Sequence, residues 1–284
     1  MTTTEALLSH CIDYAGLFPP ALLDLEMTIR NYETYRASPH AWALGRLILP
    51  TSRIVEFTET WPSFATEWPI SLLASGDIET ELRQATDCGL LCDVVECKPL
   101  PVDEIATVRG IIPATATVYF EVATGSDPEE SIAAIAAAGS KAKIRTGGIT
   151  QNAIPSVSNL VRFLSCCKKH EVPFKATAGL HHPIRAVHPL TYQPQSDSAF
   201  MHGYVNVILA SAILYHGGDL AEASALLEDA TPANFHLDQE RVGWCNWNFT
   251  EQQILQVRED LMVSFGSCSF TEPLEEIVSM RSPS

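Results

Sequence analysis

Short apolar runs alternate with longer amphipathic stretches along this chain, at intervals of roughly 25 to 30 residues. Eight of the runs are strand-like, and each ends near a glycine, proline, serine or charged residue. They cover residues 11–18, 45–50, 70–75, 92–97, 117–123, 141–146, 173–179 and 204–210. The stretches between them, such as 127–139 and 159–170, have a helical pattern. Repeated strand–helix units predict an α/β fold with a parallel sheet, and eight units predict a (β/α)8 TIM barrel.

The part of the chain beyond the eighth run exceeds what a minimal barrel needs. We therefore expect residues 1–230 to form the barrel and residues 231–284 to form a C-terminal extension within the same domain. Two interpretations of the extension stay open. It packs across one end of the barrel, or it contributes to a subunit interface in a homo-oligomer.

Composition and charge narrow the class of protein. The chain has 284 residues, of which 46% are hydrophobic, enough for one large core. No basic leader with an apolar run opens the sequence, and no apolar run is long enough to span a bilayer. We therefore expect a soluble, cytoplasmic protein with reduced cysteines. The net charge of −16 repels phosphate backbones and anionic lipids, so neither nucleic acid nor a membrane is an expected partner.

Lysine has an unusual distribution in this sequence. Only six lysines are present, and four of them lie on or at the end of predicted core strands. Side chains of a strand alternate between its faces, so Lys141, Lys143 and Arg145 share one face of the sixth strand. Lys175 and Thr177 share one face of the seventh. Neighbouring strands lie about 4.8 Å apart, which brings the lysines of the two strands together.

Two such lysines predict a nucleophile, because like charges and burial both lower a lysine pKa. The alternative is that a lysine only pairs with a buried carboxylate. Asp93 in the fourth run and Glu121 in the fifth are the carboxylates within apolar segments. Together with Lys143, Arg145 and Lys175 they form a candidate acid–base and nucleophile cluster, with charge compensation of the lysines as the other interpretation.

Four of these motifs, in this order, resemble those of the deoxyribose-phosphate aldolase family of class I aldolases. They are DVV at 93–95, TG at 124–125, KIRTG at 143–147 and FKATAG at 174–179. The resemblance covers roughly residues 90–185. It implies that Lys143 forms a Schiff base with a carbonyl substrate, that the charge of Lys175 keeps Lys143 reactive, and that Asp93 relays protons.

The predicted substrate differs from that of the family. The segments AGLHHP at 178–183 and VNVILASA at 205–212 lack the glycine-rich turns with which the family binds phosphate. We therefore expect a small carbonyl compound other than deoxyribose 5-phosphate. Arg145 would clamp a carboxylate of the substrate. His181 or His182 is expected to face the site as a general acid or anion ligand. Asp13 and Asn206 are further candidates for substrate binding. The equal alternatives are that Asp13 caps the following turn and that Asn206 only satisfies backbone groups.

We expect no metal and no other cofactor. His181 and His182 are adjacent, which makes them a poor chelate, and nearby lysines repel a cation. The expected function is therefore that of a class I (Schiff-base) aldolase-like lyase. The alternatives are another imine-forming or isomerase chemistry on the same barrel, and a non-catalytic barrel that binds small anions.

Overall fold

A closed barrel of eight parallel strands forms the centre of the protein in a computed structural model, which describes residues 2–238 and 240–280. The strands, numbered along the chain, are β1 (Ile12–Tyr14), β2 (Leu44–Pro50), β3 (Ile70–Leu73), β4 (Val94–Cys97), β5 (Thr117–Val122), β6 (Lys141–Arg145), β7 (Phe174–Thr177), β8 (Ala186–Pro189), β9 (Ser198–Met201), β10 (Phe235–Leu237), β11 (Val242–Trp244), β12 (Trp247–Phe249) and β13 (Met262–Ser267). The barrel order is β1-β13-β7-β6-β5-β4-β3-β2. The predicted (β/α)8 barrel is confirmed.

Helices alternate with the strands along the chain. They are α1 (Thr3–Leu8), α2 (Leu25–Arg36), α3 (Ile54–Thr60), α4 (Pro62–Glu67), α5 (Ile78–Asp87), α6 (Ile105–Ile111), α7 (Glu129–Ala137), α8 (Val157–Lys169), α9 (Tyr204–Tyr215), α10 (Leu220–Glu228), α11 (Glu251–Asp260) and α12 (Thr271–Met280). Several begin at a side-chain cap, as where Asp24 accepts a hydrogen bond from the Met27 amide. None of the described helices is long and apolar enough to cross a membrane.

The eighth barrel strand differs from the prediction. Residues 204–210, predicted as that strand, begin α9, and β13 closes the barrel between β1 and β7 instead. Nearly every residue of α9 is buried, so its sequence is apolar on all sides and lacks a helical stripe. The predicted limit of the barrel at residue 230 is therefore wrong, because the expected extension supplies its eighth strand.

The segment between β7 and β13 carries more than one helix. It contains the hairpin of β8 and β9, the helices α9 and α10, and an antiparallel sheet of β10, β11 and β12. The helix α9 occupies a core position and packs against α10 and β13. The hairpin stands beside the carboxyl end of β7, where it forms the wall of a cavity.

Alternate residues of the barrel strands face the helices or the interior. Phe120, Ile144 and Ala176 belong to the apolar core and are almost fully buried. Their neighbours Glu121, Lys143 and Lys175 lie level with each other across β5, β6 and β7. The polar side chains of these three strands therefore meet inside the barrel.

Two glycines allow the loops after β6 and β7 to touch. A Cβ atom on Gly179 would lie 2.7 Å from the Cα of Gly147, and Gly179 has a φ of +79°. The Thr146 hydroxyl donates to the Ala178 carbonyl oxygen at 2.5 Å, which joins the same loops. Gly147 and Gly179, the last residues of the motifs at 143–147 and 174–179, thus permit close backbone contact at the carboxyl end of the barrel.

Gly179→Ala is expected to lower the free energy of unfolding by more than Gly139→Ala, measured by urea denaturation. Both glycines have positive φ, but nothing lies within 4 Å of a Cβ on Gly139. The control variant Gly139→Ala should lose only about 1–2 kcal/mol of its free energy of unfolding, the cost of a left-handed backbone at a residue other than glycine. Gly179→Ala adds an overpacking cost of about 1–3 kcal/mol. Equal losses would mean that the two loops separate without penalty.

Candidate active site

A cavity of about 320 Å³ lies at the carboxyl ends of the barrel strands. Its floor is polar: Glu96, Glu121, Lys143 and Lys175 come from four consecutive strands. Its wall includes Phe18, Ile48, Leu73, Pro99, Ile149 and Cys268. Active sites of (β/α)8 barrels form at this end, so the cavity is the candidate active site.

Lys143 lies between two carboxylates. Its Nζ is 3.0 Å from Glu121 Oε2 and 3.4 Å from Glu96 Oε2, and its side chain is 2% exposed. The ammonium group is thus removed from bulk water, yet it lines the cavity. A carbonyl compound in the cavity would reach Nζ together with the carboxylate of Glu121, which can accept a proton from it.

Lys175 is the more strongly paired lysine. Its Nζ donates to Asp13 Oδ2 and to Glu96 Oε1, both at 2.6 Å, and Ser264 Oγ donates to the same Asp13 oxygen. Burial alone would lower the pKa of Lys175, but the charges of Asp13 and Glu96 outweigh it and raise the pKa above its usual value. The expectation of a lowered lysine pKa is therefore wrong for Lys175. It is a permanent cation, and Asp13 is its partner inside the barrel.

Glu96 connects the two lysines. Ser71 Oγ donates to its Oε1 at 2.8 Å, alongside Lys175. Burial would raise the pKa of Glu96, but the charges of Lys175 and Lys143 lower it to about 2. Glu96 is therefore ionised over the physiological range and fixes the spacing of the two ammonium groups.

Acid should weaken the contribution of Glu96 to stability. A carboxyl group whose pKa is lower in the folded than in the unfolded state stabilises the fold at every pH above the unfolded pKa, here 4.5. This stabilisation is lost as the pH falls to the folded pKa of about 2. The shift corresponds to about 3 kcal/mol. Glu96→Gln should therefore be less stable than wild type at pH 7, by chemical denaturation, and the difference should shrink between pH 4.5 and 2. A difference that stays constant over this window would contradict the assignment.

Asp93 does not lie in the cavity, contrary to the prediction. It precedes β4, its side chain is 64% exposed, and it pairs with Arg46 at 2.6 and 2.7 Å. The residue belongs to the amino end of the strand, where Arg46 compensates its charge at the surface. Glu96, at the carboxyl end of the same strand, is the buried carboxylate that contacts both lysines. The rule that barrel sites form at carboxyl ends would have selected Glu96 from the sequence.

Arg145 and Thr177 lie at the rim of the cavity. They are register partners on β6 and β7, and both line the cavity. The Arg145 side chain is half-exposed, and its Nε lies 3.6 Å from Glu121 Oε1. Arg145 therefore has donors free for a group that enters from solvent.

Of the two adjacent histidines, His181 faces the cavity. It is buried, its Nδ1 lies 3.0 Å from Ser267 Oγ, and burial lowers its pKa to about 4. His182 turns the other way and pairs with Glu276. Cys268 Sγ lies 3.9 Å from His181 Nδ1 and also lines the cavity. No histidine lies near Cys268 in the sequence, because its contact with His181 forms through β13, which the pattern does not predict as a strand.

Asn206 lies outside the site. Asn206 belongs to α9. Its Oδ1 accepts a hydrogen bond from the Arg185 amide, and its Nδ2 donates to the carbonyl oxygens of Leu226 and Asp229. All these partners are backbone groups, so Asn206 fixes loops around α9. Its prediction as a substrate ligand depended on the eighth strand that the structure places elsewhere.

We find no known family model that matches this chain, and no curated protein that is similar in sequence. The protein is therefore classed by its fold as a (β/α)8 barrel with an ionic cluster at the carboxyl end of its strands, and its function depends on the chemistry of that cluster.

Proposed function

We propose that this protein is a Schiff-base lyase, similar in chemistry to class I aldolases, in which Lys143 is the nucleophile. The observation that carries the proposal is the position of Lys143 Nζ on the cavity floor, 3.0 Å from Glu121 and 3.4 Å from Glu96. A lysine that only balances charge has no need of a cavity above it. This one has space for a substrate and proton-transfer groups within reach.

The first step is formation of the imine. Glu121 removes a proton from the Lys143 ammonium, and the free amine attacks the substrate carbonyl carbon. The alkoxide oxygen then receives a proton from the attached, positively charged nitrogen, which gives a neutral carbinolamine. The protonated carboxyl of Glu121 then delivers its proton to the hydroxyl group, which leaves as water. The product is a protonated imine on Lys143.

The second step is cleavage of the carbon–carbon bond. The electron pair of that bond moves into the protonated imine and gives an enamine. A carboxylate removes the proton of the substrate hydroxyl group, which becomes the carbonyl of the departing fragment. Protonation of the enamine and hydrolysis return the amine of Lys143. Glu121 is in place for the proton transfers, while Glu96 stays ionised between the lysines.

Lys175 acts as a positioning residue. Its contacts with Asp13 and Glu96 keep it protonated, so it does not compete as a nucleophile. Its charge stands level with Lys143 on the neighbouring strand. By engaging Glu96 at 2.6 Å, it leaves Lys143 with the longer contact of 3.4 Å to that carboxylate.

The proposed substrate is a small carbonyl compound that carries an acid or hydroxyl groups, and the charges around the cavity support this choice. Three carboxylates (Asp13, Glu96 and Glu121) and two ammonium groups give the inner cluster a formal charge of −1. A bare anion would be repelled from the floor, which disfavours a simple anion-binding protein. Arg145 and Lys98 instead supply positive charge at the rim, where an acid group of the substrate would lie.

Borohydride reduction tests the proposal directly. The protein is incubated with a panel of small aldehydes, ketones and 2-oxo acids, reduced, and analysed by intact mass and peptide mapping. We expect one reduced adduct per chain on Lys143 that is lost in Lys143→Met and retained in Lys168→Met. Lys168 is a suitable control because it is an exposed lysine on α8 that does not line the cavity.

Two outcomes would contradict the proposal. The first is the absence of any adduct with every carbonyl in the panel. The second is an equal yield in wild type and Lys143→Met, which would indicate reaction of surface amines alone. Release of a carbon–carbon cleavage product separates a lyase from another imine-forming enzyme.

Arg145→Ala should weaken the binding of acidic substrates. A charge-assisted hydrogen bond contributes about 1.5–3 kcal/mol, so KM for a 2-oxo acid should rise by about tenfold or more. KM for a neutral carbonyl compound of similar size should change little, because that substrate carries no charge with which the guanidinium of Arg145 could pair. Steady-state kinetics with both substrates measures the difference. Equal effects on both would assign Arg145 to holding Glu121, which lies 3.6 Å away.

A further inference from the structure

A second cavity of about 390 Å³ adjoins the candidate active site. The two share Pro19, Gly148, Ala178 and His181, and the second extends under the hairpin of β8 and β9. The proposed function makes no use of it. His182, His188 and Glu272 line it with nitrogen and oxygen donors, alongside an apolar wall.

Three side chains meet beside this cavity: His182 follows β7, and Glu272 and Glu276 belong to α12. Donor atoms of His182, Glu272 and Glu276 all lie within 4.8 Å of one another. His182 Nδ1 is 2.8 Å from Glu276 Oε1 and 3.0 Å from Oε2, and Tyr192 donates to Glu272 Oε2 at 3.2 Å. All three donor residues are partly buried, so their orientations are restricted by packing.

The carboxylates lack a matching positive side chain. Glu272 and Glu276 are four residues apart on α12, so they share a helix face, an arrangement in which like charges repel. Among residues 2–238 and 240–280, no lysine or arginine forms an ion pair with either one, and His182 is the only ion-pair partner that Glu276 has there. Two acidic groups held against an imidazole beside a cavity have the charge and the donors that a divalent cation requires.

A second histidine holds the first in place. The ring of His188 stacks on that of His182, with centroids 3.4 Å apart and planes 7° from parallel. His188 belongs to β8, so the hairpin and the loop after β7 fix the plane of the His182 ring together. A ligand whose ring plane is fixed loses less conformational freedom when it binds a metal.

We propose that His182, Glu272 and Glu276 bind a divalent transition-metal ion whose remaining coordination positions open into the second cavity. One imidazole nitrogen and two carboxylate oxygens form a donor set suited to Zn²⁺ or Mn²⁺, and three protein ligands leave room for water or a substrate oxygen. The proposal departs from the sequence-based expectation of no metal. That expectation rests on His181 and His182 alone, beside the lysines of the barrel. It does not include the glutamates of α12, which are distant in sequence.

Metal titration of the full chain tests the proposal without reference to catalysis. The protein is treated with a chelator, dialysed, and titrated with ZnCl₂ by calorimetry, with CoCl₂ absorption as a second readout. We expect one tight site per chain, weakened at least tenfold in Glu272→Gln and in Glu276→Gln. Glu275→Gln should bind as the wild type does, because Glu275 is exposed on the same helix and contributes equal charge.

The thermal midpoint gives an independent check. Zn²⁺ at saturating concentration should raise Tm of the wild type and of Glu275→Gln, and should leave Tm of Glu272→Gln nearly unchanged. Circular dichroism of the metal-free variants shows whether each one folds. Equal Zn²⁺ affinity in the wild type and both cavity variants, or no tight site in the wild type, would overturn the proposal. Failure of borohydride trapping would contradict the proposed lyase function but would not affect the proposed metal site.

Discussion

Asp13→Ala is expected to lower the free energy of unfolding by about 3–5 kcal/mol, the usual cost of removing one partner of a buried ion pair. Asp13 Oδ2 accepts hydrogen bonds from Lys175 and Ser264, and its Oδ1 accepts from the Arg46 amide at 2.8 Å. The substitution leaves the buried Lys175 with Glu96 as its remaining carboxylate. It also removes the acceptor of two further donors. Denaturant unfolding at pH 7 measures the loss.

Asp93→Ala is the matched control. It removes the same charge from a residue that pairs with the Arg46 side chain, but at an exposed position. A surface ion pair contributes about 0–1 kcal/mol, so this variant should be nearly as stable as wild type. If both variants lost the same free energy, the ionic cluster inside the barrel would not be a stabilising element. The comparison also distinguishes Asp93, which the sequence predicts to be catalytic, from Asp13, which contacts Lys175 inside the barrel.

The sequence predicted seven of the eight barrel strands, because their residues are apolar and flanked by turn-forming residues. It missed β13, whose sequence MVSFGS is interrupted by two serines and a glycine. Ser264 and Gly266 lie on the interior side, beside Asp13 and Thr177, where a polar or small residue is required. The apolar run of α9 also fits a buried strand, since periodicity alone does not distinguish a buried strand from a buried helix.

The candidate site was predictable where alternation along a strand determined it. Lys143 and Lys175 were placed together because parallel neighbours share a register, and the structure has them as register partners. The apolar residues around Asp93 favour it as a buried carboxylate, but Asp93 lies at the amino end of β4 and is exposed. The position along the strand matters more than the surrounding composition, because only residues at the carboxyl end reach the cavity.

Contacts between distant segments could not be predicted from this sequence. Cys268 and His181 are 87 positions apart, and their contact depends on β13 being recognised as a barrel strand. The pairing of His182 with Glu276 spans 94 positions and depends on how α12 packs after β13. Neither has a local pattern, so the second cavity and its donors emerge only from the folded chain.

Glu121→Gln is expected to slow formation of the imine on Lys143 by about 100-fold or more, the usual contribution of a general base. The amide keeps the size of the side chain but cannot accept the ammonium proton. Single-turnover borohydride trapping, with the carbonyl compound that reacts best, measures the rate. The deficit should shrink as the pH rises, because hydroxide then replaces the carboxylate as the base. A purely structural role for Glu121 would give a loss that does not depend on pH.

Glu81→Gln is the control for this prediction. Glu81 accepts hydrogen bonds from the Ser75 amide and hydroxyl in the loop after β3, on the same end of the barrel, and it does not line the cavity. Its substitution should leave the trapping rate unchanged. If Glu121→Gln also reacted at the wild-type rate, the proton would have to leave Lys143 by another route.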